Sequence, residues 1–162
     1  MSTGPRSEWT AAENLPDSGI YVLVIHARGG TAVAVGALGE LRLREGYYAY
    51  VGRAVKRLGA RLARHARDQG KRRRWHIDYL LDAAELEEAW VFPLEAGECE
   101  TAAALESGGG TRGGLRGFGA GDCRCPGHLV YLGREKPAPP RDAVRLIKAL
   151  LRRTDGRRGR PA

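Results

Sequence analysis

The chain has 162 residues, the size of a single domain, and 43% of them are hydrophobic, which excludes a wholly disordered protein. Lys and Arg number 27 against 19 Asp and Glu, so the formal net charge is +8 and an acidic partner is expected. The apolar runs are too short for a transmembrane helix and the polar start carries no secretory signal, so we expect neither a membrane protein nor an exported one. Three cysteines, an odd number, argue against a disulfide framework and favour a cytoplasmic location.

A polar N-terminal extension, residues 1–18, is followed by a region with the pattern of β-strands. Runs of β-branched and apolar residues, or strict alternation, predict strands at residues 19–27, 31–36, 40–44 and 47–51. Gly29 and Gly30 form a turn signal, which makes residues 31–36 the expected hairpin partner of the first strand.

Helical periodicity begins after Gly52. One stripe of the predicted helix is apolar, and the neighbouring stripe is basic, with the members Arg57, Arg61, Arg64 and His65. This short basic helix is expected to end near residues 68–70. Further along the chain we predict a helix at residues 75–84, a strand at 88–94 and a helix at 98–105. Pro93 places that strand at an edge of the sheet or marks its end.

The last part of the chain combines a glycine-rich loop at residues 107–121 with a strand at 128–132. Residues 141–153 have the pattern of an amphipathic helix, and a basic tail follows. The predicted fold is therefore α+β, a small mixed or antiparallel β-sheet flanked by helices. We expect a central domain at residues 19–135, with the C-terminal helix and tail in residues 136–162.

The positive charge is concentrated in one stretch of the chain. Residues 51–74 hold ten Lys or Arg and a single acidic residue, Asp68, while the rest of the chain is nearly neutral. Such a cluster favours a polyanion as the partner, because Lys and Arg neutralise phosphates and release counterions. The alternative is a solvated helical face that binds nothing.

Two tripeptides on predicted strands, Gly19-Ile20-Tyr21 and Tyr50-Val51-Gly52, are followed by Arg61 on the basic helix. This arrangement resembles the signature of the GIY-YIG endonuclease superfamily. Five longer segments resemble its Uri-type subgroup of predicted endonucleases: GYYAYVGRA, LGARLARHAR, WHIDYLL, ECE and GFGAGDCRCPGHLVYL. Tyr21 and Tyr50 are 29 residues apart, more than is usual in the superfamily, and we interpret residues 31–44 as an inserted hairpin.

The resemblance implies a metal-dependent endonuclease that hydrolyses phosphodiester bonds in DNA, single-stranded or branched forms included, with Mg²⁺ or Mn²⁺ and no organic cofactor. Glu100, or alternatively Glu98, would hold the metal, and Arg61 would clamp the scissile phosphate. Tyr21 and Tyr50 would position and deprotonate the attacking water. Tyr21 is favoured as the base and Tyr50 as the orienting group, and the reverse assignment is the alternative.

Contacts to nucleic acid are expected at Gly52, Arg53, Arg57, Arg64, His65, Arg72, Arg73, Arg74 and His76. The missing side chain of Gly52 would let the backbone approach a phosphate closely. For His76 a structural role, with its ring hydrogen-bonded to the backbone, is the alternative.

The cysteines suggest a different site. Cys99, Cys123, Cys125 and His128 form a Cys₃His set that could close around zinc. Against zinc, the CxC spacing differs from the usual CxxC knuckle, and a buried structural turn is the alternative. Two other functions therefore stay open: a non-catalytic nucleic-acid-binding module that keeps the fold, and a zinc-stabilised interaction protein.

Overall fold

A computed structural model of the chain describes residues 15–67, 74–112, 116–120, 125–151 and 154. In these residues the strands are β1 (Gly19–Ala27), β2 (Ala32–Val35), β3 (Gly39–Arg42), β4 (Gly46–Ala54), β5 (Glu85–Phe92), β6 (Thr111–Arg112), β7 (Leu129–Gly133) and β8 (Val144–Ile147). The helices are α1 (Leu58–Ala66), α2 (His76–Leu81), α3 (Glu98–Ser107) and α4 (Lys148–Leu151). The predicted α+β class is confirmed.

Within the described ranges, six strands form an antiparallel sheet in the order β6-β7-β4-β1-β5-β8. β1 lies at the centre and is apolar along nearly its whole length, because both faces of the sheet are covered. Tyr21, Leu23 and Ile25 point into a core that they share with α1, α2 and the hairpin β2–β3. The intervening residues of β1 point to the opposite face, where α3 packs through Ala102.

The inserted hairpin is confirmed, but the predicted pairing of its first strand is wrong. β2 pairs with β3, from Ala32↔Arg42 to Val35↔Gly39, and these two strands form a separate small sheet. β1 cannot accept β2 as a neighbour because β4 and β5 already occupy its two edges. The hairpin is nevertheless part of the fold, since Val33, Val35 and Leu41 are buried in the main core.

The predicted amphipathic helix at residues 141–153 is wrong over its first half. Val144–Ile147 is a strand that pairs with β5, and only Lys148–Leu151 is helical. The extended backbone buries Leu146 in the core and turns Arg145 toward Glu88, where its guanidinium lies 2.9 Å from the carboxylate. In a helix these two neighbouring side chains would lie only about 100° apart, whereas in a strand they point to opposite faces.

The pairing with β8 also places β5 inside the sheet, so Pro93 marks the end of the strand and not an edge. Other predicted elements are confirmed with altered bounds. The helix predicted at residues 75–84 is shorter, at His76–Leu81, and the glycine-rich loop contains the short strand β6. The predicted end of the basic helix at 68–70 and most of the predicted tail lie outside the described residues. No helix in the described part of the chain has the length and apolar character needed to cross a membrane.

Candidate functional site

The antiparallel register brings Tyr21 and Tyr50 together. Tyr21 lies opposite Gly52, and Leu23 lies opposite Tyr50. Since alternate residues of a strand share a face, the two tyrosines are diagonal neighbours on the same face of the sheet. Both side chains are almost fully buried, with exposed fractions of 2% and 7%.

Gly52 provides the space for the ring of Tyr21. A Cβ at this position would collide with the aromatic ring and hydroxyl of Tyr21. The aromatic ring thus fills the space where a side chain of residue 52 would lie, while Gly52 itself borders the cavity between the two tyrosines. Its contact with a phosphate stays a prediction. Tyr21 of the first tripeptide and Gly52 of the second therefore form one cross-strand pair.

Tyr50 is covered by a second glycine from a distant part of the chain. A Cβ on Gly119 would lie 2.8 Å from Cε1 of Tyr50, and Gly119 has a φ of +71°, which also favours glycine. The backbone N–H of Gly119 donates to Nδ1 of His76 at 2.8 Å. His76 thus has the structural role described above as the alternative, since it holds residues 116–120 over Tyr50. Burial lowers the pKa of His76.

These side chains open into a cavity of about 400 Å³. Its lining consists of Tyr21, Tyr50, Gly52, Arg53, Val55, Lys56, Arg61, Trp75, Glu98, Gly119 and His128. Positive charge comes from Arg53, Lys56 and Arg61, and a carboxylate comes from Glu98. The cavity therefore combines cations that can bind a phosphate with an oxygen ligand suited to Mg²⁺ or Mn²⁺.

Arg61 is held in place from two sides. Its Nη1 donates to the backbone carbonyl of Arg53 at 2.8 Å, and its guanidinium carbon lies 4.8 Å from the centre of the Trp75 ring. A guanidinium fixed in this way keeps donors for an anion in the cavity. Trp75 is not among the residues predicted from the sequence, although an aromatic residue next to a run of arginines is a usable signal for stacking.

His65 differs from its expected role. Its side chain is buried, with 2% exposed, which excludes direct contact with a nucleic acid in this conformation. Its Nε2 lies 3.0 Å from the hydroxyl oxygen of Tyr21, a hydrogen-bonding distance. The signal was present in the sequence, because His65 comes seven residues after Leu58 and three after Leu62 on the apolar stripe of α1.

Both tyrosines are held in the neutral form. Burial raises the pKa of Tyr21 to about 12, although the charge and hydrogen bond of Arg61 act in the opposite direction. Burial, assisted by the neighbouring Tyr21 and Glu98, raises the pKa of Tyr50 well above its usual range. At neutral pH both hydroxyls are therefore hydrogen-bond donors, and any phenolate needs additional positive charge or a proton acceptor.

The first turn of α3 presents Glu98, not Glu100, to this cavity. Glu98 lines it, and its Oε2 lies 3.6 Å from Nδ1 of His128. Glu100 is two positions along the helix, about 200° around its axis, and its carboxylate lies against Gly97. Our preference for Glu100 as the metal ligand does not fit this geometry, whereas the alternative, Glu98, does.

Arg64 is engaged within the protein. Its two terminal nitrogens donate to the two carboxylate oxygens of Asp78, each at 2.9 Å, so that it ties α1 to α2. The buried Asp78 also accepts the backbone N–H groups of Arg74 and Trp75. Burial alone would raise the pKa of Asp78, but these hydrogen bonds outweigh it and the pKa is lowered.

Among the other expected contacts to nucleic acid, Arg53 lines the cavity and Arg57 is exposed at the start of α1. The guanidinium carbon of Arg74 lies 5.6 Å from the centre of the Trp75 ring. Arg72 and Arg73 lie outside the described residues.

Three members of the predicted zinc set come together. Sγ of Cys99, Sγ of Cys125 and a ring nitrogen of His128 all lie within 4.8 Å of one another. Cys123 lies outside the described residues. The cluster borders the cavity, since His128 also lines it.

We compared the chain with known protein families, curated proteins and solved structures. No curated protein and no solved structure gives a significant match. One family model, described as Domain of unknown function DUF123, matches residues 20–151, which is most of the chain and includes every residue of the cavity. The chain therefore belongs to this family, Domain of unknown function DUF123.

Proposed function

We propose that this protein is a metal-dependent endonuclease that hydrolyses phosphodiester bonds in DNA. The observation that carries the proposal is the convergence of Tyr21, Tyr50, Arg61 and Glu98 on one basic cavity. These residues come from two adjacent strands and two helices, in agreement with the resemblance of the two tripeptides and Arg61 to the GIY-YIG signature. Residue types that can activate water, clamp a phosphate and hold a divalent ion are thereby placed together.

The donor set fits Mg²⁺ or Mn²⁺. Glu98 would hold the ion, and a single carboxylate suffices because Mg²⁺ keeps several waters and binds phosphate oxygens directly. The ion, when bound, would supply Lewis acidity to the scissile phosphate.

In this proposal Tyr21 is the base, as the sequence also favours. Its hydroxyl oxygen lies 3.0 Å from Nε2 of His65. With the His65 proton on Nδ1, the hydroxyl donates to Nε2, and its proton can pass to the imidazole as the phenol oxygen takes a proton from water. Arg61 favours the partial negative charge that develops on the phenol oxygen during this transfer, since its charge favours the ionised form of Tyr21. Tyr50 stays protonated and orients the water or the phosphate as a donor.

The cations bind the substrate. Arg61 contacts the non-bridging oxygens of the scissile phosphate, where negative charge increases in the transition state. Arg53 and Lys56 line the same cavity and bind phosphate without reading bases.

The test is cleavage of labelled single-stranded, double-stranded and branched DNA with Mg²⁺ or Mn²⁺. The Arg61→Ala variant should lose about 100-fold or more in rate, the effect of removing one transition-state donor. Arg67→Ala removes the same charge from the exposed end of α1 outside the cavity and should stay within a few-fold of the unaltered protein. Equal rates in the two variants would contradict the assignment. Salt-sensitive binding of DNA without cleavage under any divalent ion would instead support the non-catalytic binding module.

A further inference from the structure

We propose that Cys99, Cys125 and His128 form a second metal site, for a thiophilic divalent cation of the Zn²⁺ type. Two thiolates and an imidazole are soft and borderline ligands, which favour Zn²⁺ over Mg²⁺. The site is therefore chemically different from the carboxylate of Glu98 in the neighbouring cavity. Two thiolates would also balance the charge of the ion.

The spacing of the three ligand atoms suits a tetrahedral ion. In such a site a thiolate sulfur and an imidazole nitrogen are separated by about 3.6 Å, given metal distances of about 2.3 and 2.1 Å. Sγ of Cys99 lies 3.5 Å from Nε2 of His128. All three ligand atoms lie within 4.8 Å of one another, so small side-chain rotations bring them to one ion.

The backbone fixes His128 before any ion binds. Its carbonyl accepts the N–H of Val51 on β4 at 2.9 Å, and its N–H donates to the carbonyl of Phe118 at 2.8 Å. The side chain is buried, with 1% exposed. A ligand that is already ordered loses little conformational entropy when it binds a metal.

The carboxylate of Glu98 lies on the side of His128 where metal-bound histidines usually have an outer partner, although it is beyond hydrogen-bonding distance in this conformation. If Nε2 binds the ion, Nδ1 carries the proton, and Oε2 of Glu98 lies 3.6 Å from Nδ1. The ion would therefore join the first turn of α3 to residues 125–128. It would also orient Glu98 at the edge of the cavity, a consequence that rests on the proposed nuclease function.

Cys123 lies outside the described residues, so the proposed site consists of Cys99, Cys125 and His128. Three protein ligands leave the fourth position of a tetrahedral ion to water or to another donor.

The test is the metal content and Co²⁺ spectrum of the full chain. The protein purified without chelators should contain about one Zn²⁺ per chain. Co²⁺ added to the metal-free protein should give the intense near-ultraviolet absorption of a thiolate-to-cobalt charge transfer. The variants Cys99→Ser and Cys125→Ser should lose this band in part and bind Zn²⁺ at least about tenfold more weakly in competition with a chelating dye. His26→Gln, which alters a histidine that contacts Tyr47 instead, should bind Zn²⁺ like the unaltered protein.

A chain without zinc whose Co²⁺ spectrum lacks the thiolate band would overturn the site. Zinc binding of unaltered strength in both cysteine variants would do so as well. Should a variant fail to fold, the Co²⁺ spectrum of the unaltered protein decides. Cleavage of DNA by a chain that shows neither bound zinc nor the Co²⁺ thiolate band contradicts this site alone, whereas bound zinc without cleavage contradicts only the nuclease proposal.

Discussion

At the scale of single residues, the pairing of Tyr21 with Gly52 explains why the two tripeptides belong together. The register places the glycine of one strand directly under the aromatic ring of the other. The ring can then turn its hydroxyl toward His65 and Arg61. A side chain on residue 52 would have to displace the ring.

We therefore predict that Gly52→Ala lowers the free energy of unfolding by about 1–3 kcal/mol, because the added methyl overpacks the core. Cleavage should fall as well, since Tyr21 is shifted. Urea denaturation measures the stability. Gly108→Ala is the control, because Gly108 has a φ of −81° and an added methyl there would make only ordinary contacts. Equal stability of the two variants would show that Tyr21 does not depend on this gap.

Trp75 is the residue on which the arginines near the cavity stack. The guanidinium carbons of Arg61 and Arg64 lie 4.8 and 4.4 Å from the centre of its ring. Each such contact contributes about 0.5–2 kcal/mol. We expect Trp75→Leu to weaken DNA binding about tenfold at fixed salt, as Arg61 loses its support, and Trp75→Phe to restore part of the loss. Fluorescence anisotropy with labelled DNA measures both, and unaltered affinity in Trp75→Leu would contradict this role.

At the scale of elements, the junction between α1 and α2 depends on one buried carboxylate. Asp78 is fully buried and binds Arg64 at two points, and it also satisfies two backbone N–H groups at the start of α2. Replacing it by Asn would leave Arg64 without its charged partner and would turn one of the two acceptor oxygens into an NH₂ donor that faces other donors. The position of α1, and with it Arg61, follows from this contact.

The pKa of Asp78 is lowered in the folded protein, so its charge stabilises the fold above its ordinary pKa of 3.8 and the stabilisation is lost as pH falls toward the lowered value. We predict that Asp78→Asn costs about 3 kcal/mol at pH 7. The difference from the unaltered protein should shrink as the pH falls below about 4. Denaturation series at several pH values measure it, and a pH-independent difference would contradict the account.

The strand β8 shows what a local pattern could not reveal. Val144, Ile147, Leu150 and Leu151 fit a helical stripe, and the same segment also alternates as a strand. Glu88 stabilises the strand over the helix. It is buried on β5 and accepts hydrogen bonds from Trp90 and Arg145. Arg145 is 57 residues from Glu88 along the chain, so this contact is not visible in any local window.

The choice between Glu98 and Glu100 as the proposed metal ligand shows a similar limit. The helix that carries Glu98 and Glu100 was predicted from the sequence, and it begins at Glu98 as expected. Which of the two faces the cavity depends on the rotation of α3 against the sheet, and packing of Ala102 sets that rotation. By contrast, the strands β1 and β4 and the basic helix were predictable, because the apolar runs of the two strands and the helical periodicity of α1 are strong and local.

At the scale of the whole molecule, the most basic stretch of the chain lies next to the cavity, on one side of the sheet. The basic stretch of residues 51–74 supplies Arg53, Lys56 and Arg61 to the cavity, while Arg64 is used to hold α1 against α2. Part of the positive charge is therefore used in internal structure, and we propose that the part in the cavity attracts the substrate. We propose that Glu98 completes this cavity as a ligand for a divalent ion.

That claim is tested most directly by the rate of Mg²⁺- or Mn²⁺-dependent cleavage of labelled DNA by Glu98→Gln and Glu100→Gln. The two variants remove the same charge from the same helical turn, so they share any effect on the helix itself. We predict that Glu98→Gln loses about 100-fold or more in rate, while Glu100→Gln stays close to the unaltered protein. Loss of activity in Glu100→Gln alone, or full activity in Glu98→Gln, would contradict the account.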